Sequence, residues 1–296
     1  MRSSDTWLTV AAIGGLGDSL LCTPFVKELR LRYPGRPLRC VCSSAAGPIF
    51  EGSEGVDRVI ACDDERIFLW AVAGPGDVVF CPYARYATER VEGGECRVRE
   101  VARLWPNRRE RYILDQMAAF NGMELVDHSL RMPSRDADAA WAREELGQRS
   151  LPVLLVHSDA GSSQKRIPGE TVKELATRLA KGFDLVQLPG QPPDNGIETL
   201  SRMPSLTQSA ALFALAAGVV TVDSFPLHLA AAVSTPAVGV FGATRPDVWL
   251  HPGQIGVRSE ECEVCADTPR RRECCEARCM AQVTADDIAA AVVRVV

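Results

Sequence analysis

A chain of 296 residues, 46% hydrophobic and 24% charged, has the make-up of a folded protein with room for two domains. Its formal net charge of −5 excludes broad electrostatic binding to nucleic acid, so no nucleic-acid partner is expected. The longest nearly apolar run, 210–222, is too short to span a membrane and contains Gly218 and Thr221.

In chain order, residues 7–13 read as a first apolar strand. They follow Asp5 and lack a basic n-region and a small-residue cleavage site, so a secretory leader is not the reading and a cytoplasmic protein is expected. Gly14 to Gly17 make a tight loop. A helix through about Tyr33 buries Leu21, Phe25 and Leu29; it either starts at Thr23 with Pro24 in its first turn or bends there. Strands are expected at 38–42, 56–61 and 77–81, and 83–110 reads as loop and short helix. Helices follow at 111–122 and 136–147, with the boundary between halves in 144–152.

The second half restarts the alternation. A strand at 152–157, a polar loop to Pro168 and a helix at 169–181 come first. A strand at 183–188 and helices around Glu198 and at 209–217 follow. Then come a strand at 219–223, a helix at 224–233, a strand at 236–241 and a terminal helix from Ala285. Strands alternating with helices predict an α/β protein with parallel sheets.

Three stretches carry chemistry. The run from Gly14 to Asp18 lacks the glycine a dinucleotide fingerprint needs, since Leu20 stands there, and has no Gly-Lys-Ser/Thr. What remains is a loop at the carboxyl end of a strand, where α/β sheets bind ligands. Its one acid, Asp18, is either a helix cap or a general base. The loop from His157 to Pro168 places Ser162 and Ser163 to donate to phosphate oxygens and Lys165 to supply a point charge. Asp223 and Ser224 stand at a strand-to-helix junction, whose N–H groups and positive partial charge suit a diphosphate. His228 shares a helical face with Ser224.

Eleven cysteines divide into six scattered between Cys22 and Cys96 and five in 262–279. The scattered set reads as small buried hydrophobes. The cluster Cys262, Cys265, Cys274, Cys275 and Cys279 opens with C-x-x-C and suits a structural zinc or iron, with the choice between Cys274 and Cys275 open.

The pieces Gly17 to Pro24, Arg30 to Pro34, Lys165 to Pro168, Asp223 to Ala232 with Val240 to Thr244, and Cys279-Met280 resemble, in this order, glycosyltransferase family 9, the ADP-heptose:lipopolysaccharide heptosyltransferases. The block from Asp223 to Thr244 is the most specific. The resemblance implies a GT-B fold, two Rossmann-like domains facing across a cleft: an acceptor domain over 1–148 and a nucleotide-sugar donor domain over 149–296. It implies inverting, metal-independent transfer of a heptose or related sugar from a nucleoside-diphosphate donor, ADP-heptose by family, to a glycan, lipid-linked or protein acceptor at the bacterial surface. Asp18 would be the catalytic base. Ser162, Ser163, Lys165, Asp223, Ser224 and His228 would hold the donor, with Asp194 at the ribose. Relatives in the family carry a comparable metal-holding cysteine finger.

The chain departs from the family in a short N-terminal half, in Phe225 where glycine is usual, and in Ile167 where tryptophan is usual. Those departures keep a second reading in view, a sugar-nucleotide sensor or scaffold that does not catalyse. The thiols keep a third, a metal- or redox-responsive protein. The arginine runs 108–111 and 270–272 read as solvated faces, with anionic lipid, and so peripheral contact with the inner membrane, as the lesser alternative.

Overall fold

A computed structural model describes residues 7–12, 14–63, 78–81, 83–90, 96–104, 111–192, 195–260, 262–265 and 278–296. By its packing the chain divides into two compact units, Met1–Pro133 and Ser134–Val296.

The first unit is built on a four-stranded parallel sheet of β1 (Leu8–Ala12), β2 (Leu38–Cys42), β3 (Arg58–Ala61) and β4 (Val78–Phe80), in the order β3-β2-β1-β4. Every residue of β1 is buried, as expected of a central parallel strand covered on both faces. The helix expected after it is broken into α1 (Leu16–Leu20) and α2 (Thr23–Arg32). The cause is Pro24, which has no N–H to give the carbonyl of Leu20; the Thr23 hydroxyl donates there instead, at 2.7 Å. Phe25 of α2 then stacks on Phe80, ring centroids 4.3 Å apart, which ties helix to sheet. Short α3 (Gly47–Phe50) and α4 (Ile113–Phe120) complete the packing.

The 83–110 region differs from its expected loop and helix. Strands β5 (Ala84–Arg90) and β6 (Cys96–Arg103) form a separate antiparallel ribbon, with a register shift at Arg85/Tyr86. A ribbon held by its own ladder leaves little apolar periodicity in the sequence, which is why it was legible only in three dimensions.

The second unit opens with α5 (Asp136–Leu146). It then builds a six-stranded parallel sheet, β12-β11-β10-β7-β8-β9, from β7 (Val153–His157), β8 (Asp184–Gln187), β9 (Glu198–Thr199), β10 (Gly218–Val222), β11 (Ala237–Phe241) and β12 (Gln254–Arg258). Its helices are α6 (Gly169–Leu179), α7 (Leu206–Leu215), α8 (Phe225–Ala232), α9 (Pro246–Trp249), α10 (Arg278–Ala281) and α11 (Ala285–Val295). Glu198 is in an edge strand and not a helix, pinned there by two hydrogen bonds from Arg149 at 2.5 and 2.7 Å.

One core joins β7, β10 and β11 to α6 and α11, with Leu154, Val220, Val238, Ile288 and Val292 fully enclosed. Each such aliphatic side chain stabilises the fold by roughly 1.5–3 kcal/mol. Gly239 lets α8 lie close on β11: a Cβ there would stand 3.2 Å from Leu227 and 2.7 Å from Phe241. The carboxyl ends of β7 and β10 and the start of α8 are held together by this packing. Among the described residues no helix is long and apolar enough to cross a membrane.

Candidate functional site

In the second unit, the sequence alternation delivers two loops to the carboxyl ends of neighbouring parallel strands. The loop after β7 is closed at its base by Ile167 N–H donating to the Ser158 carbonyl (3.0 Å), with the Ile167 side chain buried in the core. Gln191 Oε1 accepts from the N–H groups of Ser158 and Asp159 at 3.0 and 3.2 Å. A single 3₁₀ turn, Ser163–Lys165, then directs Lys165 at the end of β10. Its Nζ donates to Asp223 Oδ2 at 2.8 Å and to the Asp223 carbonyl at 3.0 Å.

Asp223 is 5% exposed and also accepts from Thr244 Oγ1 at 2.6 Å. Its carboxylate therefore fixes Lys165 and Thr244. A carboxylate repels an anion, so the positive charge at this strand end is that of the lysine which Asp223 holds.

Ser224 is the N-cap of α8. Its side chain makes no cap, reaching back instead to the Val222 carbonyl at 3.4 Å. Pro226 has no N–H, and Leu227 N–H is committed to Ser224 O at 3.0 Å. The helix start thus offers an anion the N–H groups of Ser224 and Phe225, fewer than a run of free first-turn donors.

Beside these groups lies a cavity of about 320 Å3 whose wall includes His157, Leu188, Ser209, Phe213, Ser224 and Phe225. It is mostly apolar with a few polar points, the make-up of a small-molecule pocket. His157 Nδ1 is buried without a hydrogen-bond partner, and burial lowers its basicity, so the ring is neutral. His228, also buried, turns Nδ1 to His251 Nε2 at 2.8 Å. Burial, and secondarily the charge of Lys165, pushes His228 down to about 3.

In the first unit Asp18 is half-buried in α1, and its Oδ2 accepts from Gly15 N–H at 2.8 Å. The capping role is therefore real, and one carboxylate can cap while its second oxygen does other work. Gly14, at φ +117°, is required for this: a Cβ there would stand 2.4 Å from Asp18 Oδ2. The buried phenol of Tyr83 meets no partner at hydrogen-bond geometry; burial first, then the Asp18 charge, keep it protonated. Cys22, buried and donating to the Asp18 carbonyl at 3.2 Å, is raised by burial, then by Cys81 and Asp18, and stays an inert thiol.

Of the sequence candidates, Lys165, Asp223 and Ser224 are brought together, with Ser162 at the base of the same turn: its carbonyl accepts from Lys165 N–H at 3.0 Å. Ser163 starts that turn. Asp194, Cys274 and Cys275 lie outside the described residues. Cys265 N–H donates to the Ala243 carbonyl at 3.0 Å, Arg258 bridges the carbonyls of Gly242 and Cys262, and a Cβ on Gly242 would stand 2.9 Å from Cys279 Sγ. Cys262, Cys265 and Cys279 thus border one stretch after β11. Among the described residues no three His, Cys, Asp or Glu are gathered to hold a metal ion. Thr244, His157 and His251 were not among the sequence candidates. Thr244 closes the most specific motif block and could have been found there; the histidines carry no local signal.

Two α/β units, each built on a parallel sheet and one with a lysine and a helix start at its strand ends, define the fold class of the GT-B glycosyltransferases. The model of Glycosyltransferase family 9 (heptosyltransferase) matches residues 106–280, more than half of the chain, and the chain belongs to that family. No curated protein sequence matches the chain. Among solved structures it is similar to the family 9 glycosyl transferase of Veillonella parvula DSM 2008, with TM-score 0.75 and 15% identity, over 100% of this chain and 98% of that one. It is similar to E. coli heptosyltransferase WaaC with ADP, with TM-score 0.64 and 17% identity, over 98% and 100%. It is also similar to the iron-containing dodecameric glycosyltransferase TibC of enterotoxigenic E. coli H10407, with TM-score 0.71 and 15% identity, over 98% of this chain and 78% of that one.

Proposed function

We propose that the protein is an inverting heptosyltransferase-type enzyme that moves a heptose or related sugar from a nucleoside-diphosphate donor, ADP-heptose, to a bacterial surface glycan or a protein. The observation that carries this reading is the Lys165–Asp223–Thr244 cluster at the start of α8, next in sequence to the residues that line the cavity. A lysine whose charge is held at a helix start suits a diphosphate, and the apolar cavity suits its base. Two structural neighbours, E. coli heptosyltransferase WaaC with ADP and TibC in complex with ADP-D-beta-D-heptose, favour adenine.

In this mechanism the donor belongs to the unit containing 149–296 and the acceptor to 1–148. Asp18 removes the proton from the acceptor hydroxyl as its oxygen attacks the anomeric carbon. The bond to the diphosphate breaks with its electron pair going to the leaving oxygen. Lys165, Ser162, Ser163 and the N–H groups of Ser224 and Phe225 receive that charge. His228 donates to the same group, and Asp194 holds the ribose. No step is assigned to a metal. Cys262, Cys265 and Cys279, with Cys274 or Cys275, are the residues that would hold a structural zinc or iron. The protein acts in the cytoplasm, peripherally at the inner membrane if its acceptor is lipid-linked.

A thermal-shift screen with ADP, GDP and UDP, followed by incubation with ADP-heptose and candidate acceptors, tests this. ADP is expected to raise Tm most, and acceptor-dependent ADP release is expected to vanish in Asp18→Asn with donor affinity kept. A fully active Asp18→Asn removes the base. One observation favours a sensor that does not turn over: the bulky Phe225 in the cavity wall where the family has glycine. ADP binding without sugar transfer to any acceptor would support that alternative.

A further inference from the structure

Next to the Lys165 cluster the second unit buries two imidazoles against each other. His228 and His251 are 5% and 4% exposed, their rings lie edge to face with centroids 5.1 Å apart, and Nδ1 of His228 is 2.8 Å from Nε2 of His251. The Gln254 side chain holds the backbone on either side of the pair as well. His251 N–H donates to Gln254 Oε1 at 3.0 Å, and Gln254 Nε2 donates to the Leu227 carbonyl at 2.8 Å, one residue before His228. The turn between α9 and β12 is thereby pinned to α8, and the Trp249 ring closes on His228 at 6.1 Å.

The chemistry of the contact is restrictive. Burial keeps both rings neutral, so each carries one N–H, and one proton lies between the facing nitrogens. If His228 donates that proton, its Nε2 carries a bare lone pair, which repels an anionic oxygen. If His251 donates it, His228 carries N–H at Nε2 and can bind one. Lys165 alone would favour the lone pair, but its charge is already paired with Asp223 at 2.8 Å. We propose that His251 is a positioning residue that donates from Nε2 to His228 and so fixes His228 in the Nε2–H tautomer, presenting that N–H to an anionic oxygen of a nucleoside diphosphate. The choice of His251 as donor rests, like the ligand, on the proposed function; the 2.8 Å contact between the rings does not.

The test uses the full chain with 15N-labelled histidine, two-bond 1H–15N spectra, and ADP as the probe. The wild type is expected to show His228 as the Nε2–H tautomer, with that N–H signal moving on ADP addition. His251→Leu is expected to mix the tautomers and weaken ADP binding about tenfold, roughly 1.4 kcal/mol. His251→Gln, whose amide nitrogen can donate in place of Nε2, is expected to restore affinity to within about threefold, which a merely space-filling role would not do. An Nδ1–H form of His228 in the wild type overturns the pairing, and that readout stands even if His251→Leu does not fold. Unchanged ADP affinity in a folded His251→Leu, or a His228 signal that ADP leaves still, overturns the ligand half. A wild type that binds no nucleoside diphosphate sinks the proposed function itself, separately from the tautomer.

Discussion

Lys165 Nζ sits 2.8 Å from Asp223 Oδ2, so the cation proposed for the diphosphate is held by an acid that is itself 5% exposed. Removing either partner leaves the other poorly solvated. Lys165→Ala is expected to weaken ADP binding ten- to a hundredfold and lower stability by about 1–3 kcal/mol, reduced from a fully buried pair because the lysine is 25% exposed. Asp223→Asn is expected to destabilise similarly but to weaken ADP less, since the lysine remains. Calorimetric titration and denaturant melts read both. Equal loss of affinity in the two variants would argue against Lys165 as the direct contact.

Gly14 sets the path of the first loop against Asp18. Alanine there meets both an unfavourable φ of +117° and the Asp18 carboxylate at 2.4 Å. Gly14→Ala is expected to cost about 1–3 kcal/mol and to lower turnover at least a hundredfold, with donor affinity unchanged. Wild-type kcat in this variant would separate Asp18's position from catalysis.

The depressed histidines set a stability window. His228 and His251, pushed by burial to about 3 and about 2, are neutral when folded, whereas an unfolded imidazole titrates near 6.5. Between those values the unfolded chain binds more protons, so their contribution is full above about pH 6.5 and is lost as pH falls. By pH 5 the loss is about 2 kcal/mol per histidine. Unfolding at pH 7.0, 6.0 and 5.0, above the carboxylate range, checks this. A flat profile there would mean that the pair is not buried as neutral rings in solution.

The cysteines after β11 make a separate case. Protein purified without oxygen is expected to carry about one zinc or iron per chain. Chelation, or Cys262→Ala with Cys265→Ala, should remove the metal and lower Tm while leaving kcat nearly unchanged. Metal-free wild type with full thermal stability would return these thiols to plain packing.

His157 offers a subtler check. Its Nδ1 is buried and unpartnered, so His157→Leu is expected to leave stability unchanged or slightly raised. The same change is expected to weaken nucleoside binding several-fold if the nitrogen meets a base. Affinity measured for ADP against inorganic pyrophosphate locates the effect, since only the former carries a base.

Local sequence determined a good deal. The apolar runs at 152–157, 219–223 and 236–241, the turn residues between them and the helix period of Leu21, Phe25 and Leu29 are short-range patterns, and they announced an α/β chain with parallel sheets. The block from Asp223 to Thr244 marked the strand end and helix start as well. Tertiary structure decided what no window of residues holds. The ribbon over 84–103 depends on a cross-strand ladder, and the edge strand at Glu198 depends on Arg149 far back in the chain. Whether Asp223 faces a ligand or a lysine depends on a loop 58 residues earlier, and the state of His228 depends on a histidine 23 residues later. Those are pairings of distant groups. Their energies come from burial and hydrogen bonds that exist only once the sheet has brought the strand ends together.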